Sequence, residues 1–264
     1  MNNKQKCLEG IIGSYGKVLI AFSGGVDSTY LLAIARRVLG KKNVLAVTAI
    51  SETYPAAELV RARQLARELD VSIHYIKTDE LRNASFKNNP PDRCFFCKNE
   101  LFAQLDAIAR KRHMIMCDGT NASDAGDYRP GRRAARKWKV VSPLAEAAMT
   151  KDDIRRLSKR LKLPTWNMPA QACLASRFPY GTTITIQELA KVEKTEVLLK
   201  SYGFDVIRVR NHGDLARIEV EPRKIRSLMK ILADKKILAH IKQIGWRFVT
   251  VDVSGYTMGC FNQQ

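Results

Sequence analysis

Apolar positions along the 264-residue chain follow two alternating patterns. Continuous apolar runs at 18–20, 44–49, 72–76 and 114–117 read as buried strands, and 140–144 as a short fifth. Between them, 29–39, 54–69 and 99–111 repeat their apolar residues at helical spacing, with Pro55 suited to a first turn. Strand and helix in alternation predict an α/β fold with a doubly wound parallel sheet, in which ligands bind at the carboxyl ends of the strands. Thr150 before Asp152-Asp153 predicts an N-capped helix reaching residue 161. Segment 163–169, with two prolines, reads as a linker, which sets a first domain at 1–168 and a smaller α+β domain at 169–264. In the second domain a helix over 187–202 precedes two alternating runs, 206–210 and 216–220. Asn211-His212-Gly213-Asp214 separates them, a hairpin signature. Helical segments between 222 and 244 and a strand at 248–253 complete that domain.

The most informative junction is Ala21-Phe22-Ser23-Gly24-Gly25-Val26-Asp27-Ser28, between the first strand and its helix. A glycine pair lets the backbone turn its N–H groups toward an anion, and Ser23 and Ser28 add hydroxyl donors at a helix N-terminus. The stretch is built to hold phosphate. It lacks the spacing and the lysine of a Walker loop. Asp118-Gly119-Thr120-Asn121 forms a polar loop at the same inferred sheet edge, followed by a stretch at 122–137 rich in Gly, Asp and Arg with no clear period, expected to be an active-site loop.

Composition narrows the setting. No run is long enough to span a bilayer and the N-terminus lacks the apolar core of a signal peptide, so a cytoplasmic protein with no membrane contact is expected. Forty-five Lys plus Arg against 26 Asp plus Glu give a formal charge of +19, which favours polyanions and phosphorylated small molecules and makes RNA a candidate partner. The excess is scattered, as at Arg36-Arg37, Arg132-Arg133 and Lys235-Lys236, and marks no nucleic-acid-binding element.

Six cysteines in a cytoplasmic chain argue against structural disulfides. Cys94 and Cys97 form a Cys-x-x-Cys pair, open between zinc, redox disulfide and iron–sulfur ligation. Cys173 lies far downstream, and His74, His113, His212 and His240 offer no partner spacing for a zinc site. Three thiolates suit a cluster with one iron left open. Cys117, inside an apolar strand, reads as a small buried hydrophobe, and Cys7 and Cys260 sit near the termini.

Ser23-Gly24-Gly25-Val26-Asp27-Ser28 resembles the pyrophosphate-binding loop of the ATP-pyrophosphatase (PP-loop) family, whose members adenylate a substrate oxygen and release pyrophosphate. Asp92-Arg93-Cys94-Phe95-Phe96-Cys97-Lys98, Asp118-Gly119-Thr120-Asn121, Asp127-Tyr128-Arg129-Pro130-Gly131, Cys173-Leu174-Ala175-Ser176-Arg177 and Arg208-Val209-Arg210 narrow this. Together they resemble the LarE family through nearly the whole chain, which implies an adenine nucleotide alpha-hydrolase-like fold. Members are ATP-dependent sulfur transferases of nickel-pincer nucleotide cofactor assembly. They adenylate a carboxylate of a pyridinium dicarboxylate mononucleotide and replace AMP by sulfur, giving a thiocarboxylate.

In one version of the family the cysteine of Cys-Leu-Ala-Ser-Arg surrenders its own sulfur. In the other it joins a Cys-x-x-Cys pair on a 4Fe-4S cluster whose open iron carries sulfide. The resemblance therefore implies Cys94, Cys97 and Cys173 as cluster ligands. It implies ATP and pyrophosphate binding by Ala21, Ser23, Gly24, Gly25, Val26, Asp27 and Ser28, joined by Thr48, Gly119 and Asn121. Cys173, Asp27 and Ser28 would carry the chemistry, with Mg²⁺ near Asp27 and the pyrophosphate. Arg208 and Arg210, two apart on one strand and so on one face, would hold the substrate phosphate. Lys98, Arg177, Glu196 and Glu219 match further positions near the site, but no third acidic companion aligns, and Cys260 stands where a small hydroxyl residue is expected. A sulfide source and a homo-oligomer, a hexamer, are implied as partners. The competing readings are a PP-loop 4Fe-4S tRNA thiolase, which the positive charge would suit, and a non-catalytic nucleotide- or metal-binding regulator.

Overall fold

A computed structural model of the chain describes residues 3–126, 130–169 and 172–257. Two compact units divide it: Met1–Glu80 with Asp92–Gln171, and Leu81–Pro91 with Ala172–Gln264.

The first unit begins with α1 (Asn3–Tyr15), β1 (Val18–Ala21), α2 (Val26–Leu39), β2 (Val44–Ile50), α3 (Ala56–Glu68) and β3 (Ser72–Lys77). The short helix α4 (Ala84–Lys87) belongs to the second unit. The first resumes with α5 (Arg93–Arg112), β4 (Ile115–Cys117), α6 (Gly131–Lys137), α7 (Pro143–Glu146) and α8 (Lys151–Arg160). Among the described residues its sheet runs β3-β2-β1-β4, every pair parallel. Side chains alternate along β1 and β2. Val18, Ile20, Val44 and Ala46 pack with α1, α2, α3 and α8, whereas Leu19, Leu45 and Val47 pack with Phe102, Leu105 and Ala109 of α5 and Ala134 of α6. Helices thus cover both faces, which is why these strands read as unbroken apolar runs. This is the expected α/β PP-loop fold. The strand order reverses between β1 and β4, the point at which a doubly wound sheet opens a crevice for ligand.

Three local expectations are corrected, and one helix goes unsignalled by the sequence. Segment 140–144 is no strand: Val141 makes a single parallel bridge to Cys117, after which Pro143, unable to donate to a ladder, opens α7. The cysteine pair does not precede its helix but lies in the first turns of α5, which starts at Arg93 directly after Pro90-Pro91-Asp92. The segment at 122–137 is not wholly loop, since α6 packs Ala134 and Ala135 onto the core and is too short to show a period. Helix α1 escapes the pattern because its buried face is only Gln5, Leu8 and Ile12. The Thr150 cap is realised as a capping box with Asp153 at the start of α8.

The second unit contains α9 (Ile186–Lys200), β5 (Ile207–His212), β6 (Leu215–Val220), α10 (Ile225–Leu232), α11 (Lys235–Ile244) and β7 (Phe248–Val251). β5 and β6 form the expected antiparallel hairpin, with a tighter turn at Gly213-Asp214, and β7 adds parallel to β6. Val209, Ala216, Ile218, Leu189, Val192, Leu199 and Trp246 are buried, and the Trp246 indole donates to Thr195 Oγ1 at 2.8 Å. No helix among the described residues is long and apolar enough to cross a membrane.

Candidate active site

The loop after β1 stands at the carboxyl end of the central strand. Gly24 takes φ +68°, and a Cβ there would lie 3.2 Å from Ala62 Cα of α3, so the turn needs glycine on both counts. Ser23 and Ser28 cross-brace the loop: their hydroxyls are 3.1 Å apart and Gly25 N–H donates to Ser23 Oγ at 3.3 Å. The Thr48 hydroxyl donates to Phe22 O at 2.8 Å, tying β2 to the start of the loop. The Tyr54 hydroxyl donates to Ser23 O.

Asp27, in the first turn of α2, has Oδ2 paired with Lys151 Nζ, while Oδ1 is buried with no hydrogen-bond partner among the described residues. Lys151 was invisible in the sequence because it lies far along the chain. Its backbone N–H donates to Ser123 Oγ at 3.0 Å, which sets the start of α8 beside the loop. A buried carboxylate oxygen lacking a donor beside a phosphate loop fits a hard oxygen-bound cation such as Mg²⁺.

The second polar loop closes on the first. Gly119 approaches so closely that a Cβ would sit 3.1 Å from Ser28 N. Asp118 is buried, accepting from Ser142 Oγ at 2.7 Å and from Thr120 N–H at 3.1 Å, and Lys98 Nζ stands 3.9 Å away. Asn121 is buried and folds back on its own turn, accepting from Ser123 N–H at 2.9 Å. Gly119→Ala is expected to cost about 1–3 kcal/mol of stability through overpacking, read by urea unfolding, and to weaken ATP binding in the same protein. Asp127, Tyr128 and Arg129 lie outside the described residues.

Cys94 is exposed and Cys97 half-buried, one helical turn apart at the N-terminus of α5, where the helix dipole favours thiolate. Cys97 Sγ donates to Glu80 Oε1 at 3.5 Å. Glu80 is itself buried, and desolvation by burial pushes its carboxyl up. Cys117 is buried in β4 and its thiol is pushed far up by that burial, so it behaves as a hydrophobe. Cys260 lies outside the described residues.

In the second unit, Cys173 caps a short 3-10 turn, Leu174–Arg177. Arg177, 2% exposed, organises that turn. Its Nη1 donates to Ala172 O at 2.7 Å, Cys173 O at 3.1 Å and Ser176 Oγ at 2.9 Å, while Nε and Nη2 grip both oxygens of Glu196 at 2.8 and 3.0 Å. Burial pushes the Glu196 carboxyl up, but the Arg177 charge and hydrogen bonds, Arg208 and Val209 N–H outweigh it and hold it below the ordinary range. Arg208 and Arg210 do share a face of β5, and that face is buried. Arg210 bonds Glu219 at 2.7 Å and Ser176 O at 2.9 Å; Arg208 lies over the Tyr256 ring at 5.1 Å. Burial first, and the Arg177 charge second, pull the Arg208 guanidinium below its usual range. Three buried arginines against two buried glutamates leave one positive charge in excess among the described residues of this unit. Such a cluster suits a bound anion.

A protein-family model described as NAD synthase matches residues 3–125, the stretch that carries the phosphate loop. A pyridinium-3,5-bisthiocarboxylic acid mononucleotide synthase of Lactiplantibacillus plantarum is 37% identical over 260 residues, covering 98% of this chain and 94% of that protein. The chain belongs to the LarE family. An uncharacterized Synechocystis protein is 38% identical over 264 residues, 100% of this chain and 98% of its own. A protein of Methanocaldococcus jannaschii is 31% identical over 242 residues, 91% of this chain and 90% of its own. Family membership thus extends through both units and is not confined to the nucleotide fold.

Proposed function

We propose that this LarE-family chain is an ATP-dependent sulfur transferase acting in the cytoplasm on a pyridinium dicarboxylate mononucleotide. The observation that carries the reading is that one chain holds both a phosphate loop, in its first unit, and a buried, net-positive arginine cluster in the same unit as Cys173, in its second. A carboxylate is a poor electrophile, and transfer of AMP to it from ATP, with release of pyrophosphate, converts it to a mixed anhydride. The loop N–H groups, Ser23 and Ser28 would stabilise charge on the departing pyrophosphate, and Asp27 Oδ1 would hold Mg²⁺. Gly119 and Asn121 keep the neighbouring loop close enough to enclose the nucleotide. Arg208 and Arg210 would bind the substrate phosphate, while Arg177 and Glu196 fix the backbone around Cys173. Residues 1–168 thus activate, and 169–264 hold the substrate.

Cys94, Cys97 and Cys173 are the proposed ligands of a 4Fe-4S cluster; the first is an exposed thiol and the second a half-buried one, both in the first turns of α5. Among the described residues, no three His, Cys, Asp or Glu side chains form a metal-binding group, so the ligand set rests on the family resemblance and on the chemistry of the three thiols. When bound, the cluster would supply the sulfur that displaces AMP and Mg²⁺ would offset triphosphate charge. A homo-oligomer, a hexamer, and an external sulfide source complete the proposal.

Anaerobically reconstituted protein given ATP, sulfide and the pyridinium nucleotide is expected to yield a thiocarboxylate by mass spectrometry, and bulk tRNA to stay unmodified. Thiolated nucleosides with an unchanged pyridinium substrate would establish the tRNA thiolase alternative instead. Cys94→Ala is expected to lose bound iron and product together; full iron content in that variant would refute the cluster.

A further inference from the structure

The Nε–Nη2 edge of a guanidinium is its bidentate fork, with two parallel donors matched to phosphate or carboxylate oxygens. Among the described residues, Arg61 alone has both atoms of that edge buried and without a hydrogen-bond partner. Its nearest acidic neighbour, Glu58 one turn away on α3, leaves 4.0 Å between Oε1 and Nη2, beyond hydrogen-bonding reach. Burying such a pair of donors unmet is costly, so a ligand oxygen is the expected complement.

The position of Arg61 says which ligand. Ala62, the next residue, is the one against which Gly24 of the phosphate loop packs. Tyr54, whose hydroxyl holds Ser23 O, is close enough for the Arg61 and Glu58 charges to act on it in opposite directions. We propose that Arg61 is a second anchor of the loop, a bidentate donor to the terminal phosphates of the nucleoside triphosphate and to the pyrophosphate released from it. The inference rests on the nucleotide reading of the loop and adds a residue that neither the loop's sequence nor its spacing implies. Glu58 then serves as a resting counter-charge, too distant to satisfy the fork yet near enough to make the unliganded cation tolerable.

Titration calorimetry on the full chain with Mg²⁺, using inorganic pyrophosphate and AMP as separate probes, tests this. Arg61→Gln keeps the aliphatic stem, and is expected to weaken pyrophosphate binding by roughly tenfold to a hundredfold while AMP affinity stays within about twofold. Arg61→Lys restores the charge without the fork and should recover only part of the loss. Pyrophosphate affinity unchanged in Arg61→Gln, or equal loss of both ligands, overturns the proposal. Wild-type protein that binds neither probe overturns the nucleotide reading itself, and this inference with it.

Discussion

Arg177→Met is expected to destabilise the second unit by about 3–5 kcal/mol, because it strands the Glu196 carboxylate in a site that excludes water. Glu196 is 3% exposed and spends both oxygens on Arg177, with Oε1 also taking Val209 N–H at 3.1 Å. Loss of the guanidinium also frees the carbonyls of Ala172 and Cys173. Urea unfolding followed by the fluorescence of buried Trp246 reports on this unit. The double variant Arg177→Met with Glu196→Met should regain most of the loss, since it removes both charges. pH dependence has a definite sign. The folded carboxyl lies below its ordinary value of 4.5, so the pair's contribution is complete above that value. It drains away as pH falls through the lower folded value, and wild type should lose this stability on acidification while the double variant does not. A single variant as stable as wild type would show that Arg177 does not hold the Cys173 turn.

Asp27→Asn should slow pyrophosphate release by about a hundred- to a thousandfold, the few kcal/mol that a metal-oriented charge contributes at a phosphoryl centre. Asparagine has the same shape, and the pair with Lys151 is partly exposed on both sides, so folding stability should move by less than about 1 kcal/mol. Activity and stability therefore separate in this variant, whereas in Arg177→Met they fall together. A coupled assay for pyrophosphate measures the rate, and a rate near wild type would remove Asp27 from the chemistry.

Much of the first unit was legible because both periodicities are strong there. β1, the glycine turn and α2 follow one another in sequence, and strands covered by helices on both faces carry uninterrupted apolar runs. Where the signal fades, it does so for physical reasons. α1 buries only Leu8 and Ile12 besides Gln5, too narrow a stripe to detect, and α6 spans barely two turns. The apolar run at 140–144 imitates a strand, and only Pro143 betrays that its ladder must stop at Val141.

Of the candidate site, the sequence alone determined the parts that are contiguous. These are the phosphate loop, the Cys-x-x-Cys pair, the Cys173 turn and the alternation that sets Arg208 beside Arg210. Spacing along a chain fixes which residues share a turn or a face. Tertiary structure decided everything that depends on segments distant in sequence. It paired Lys151 with Asp27, wedged Gly119 against Ser28, buried Arg208 and Arg210 among Glu196, Glu219 and Arg177, and left two buried nitrogens of Arg61 on α3 without a hydrogen-bond partner among the described residues. Charge balance and burial are properties of a packed neighbourhood, and no periodicity along the chain encodes them.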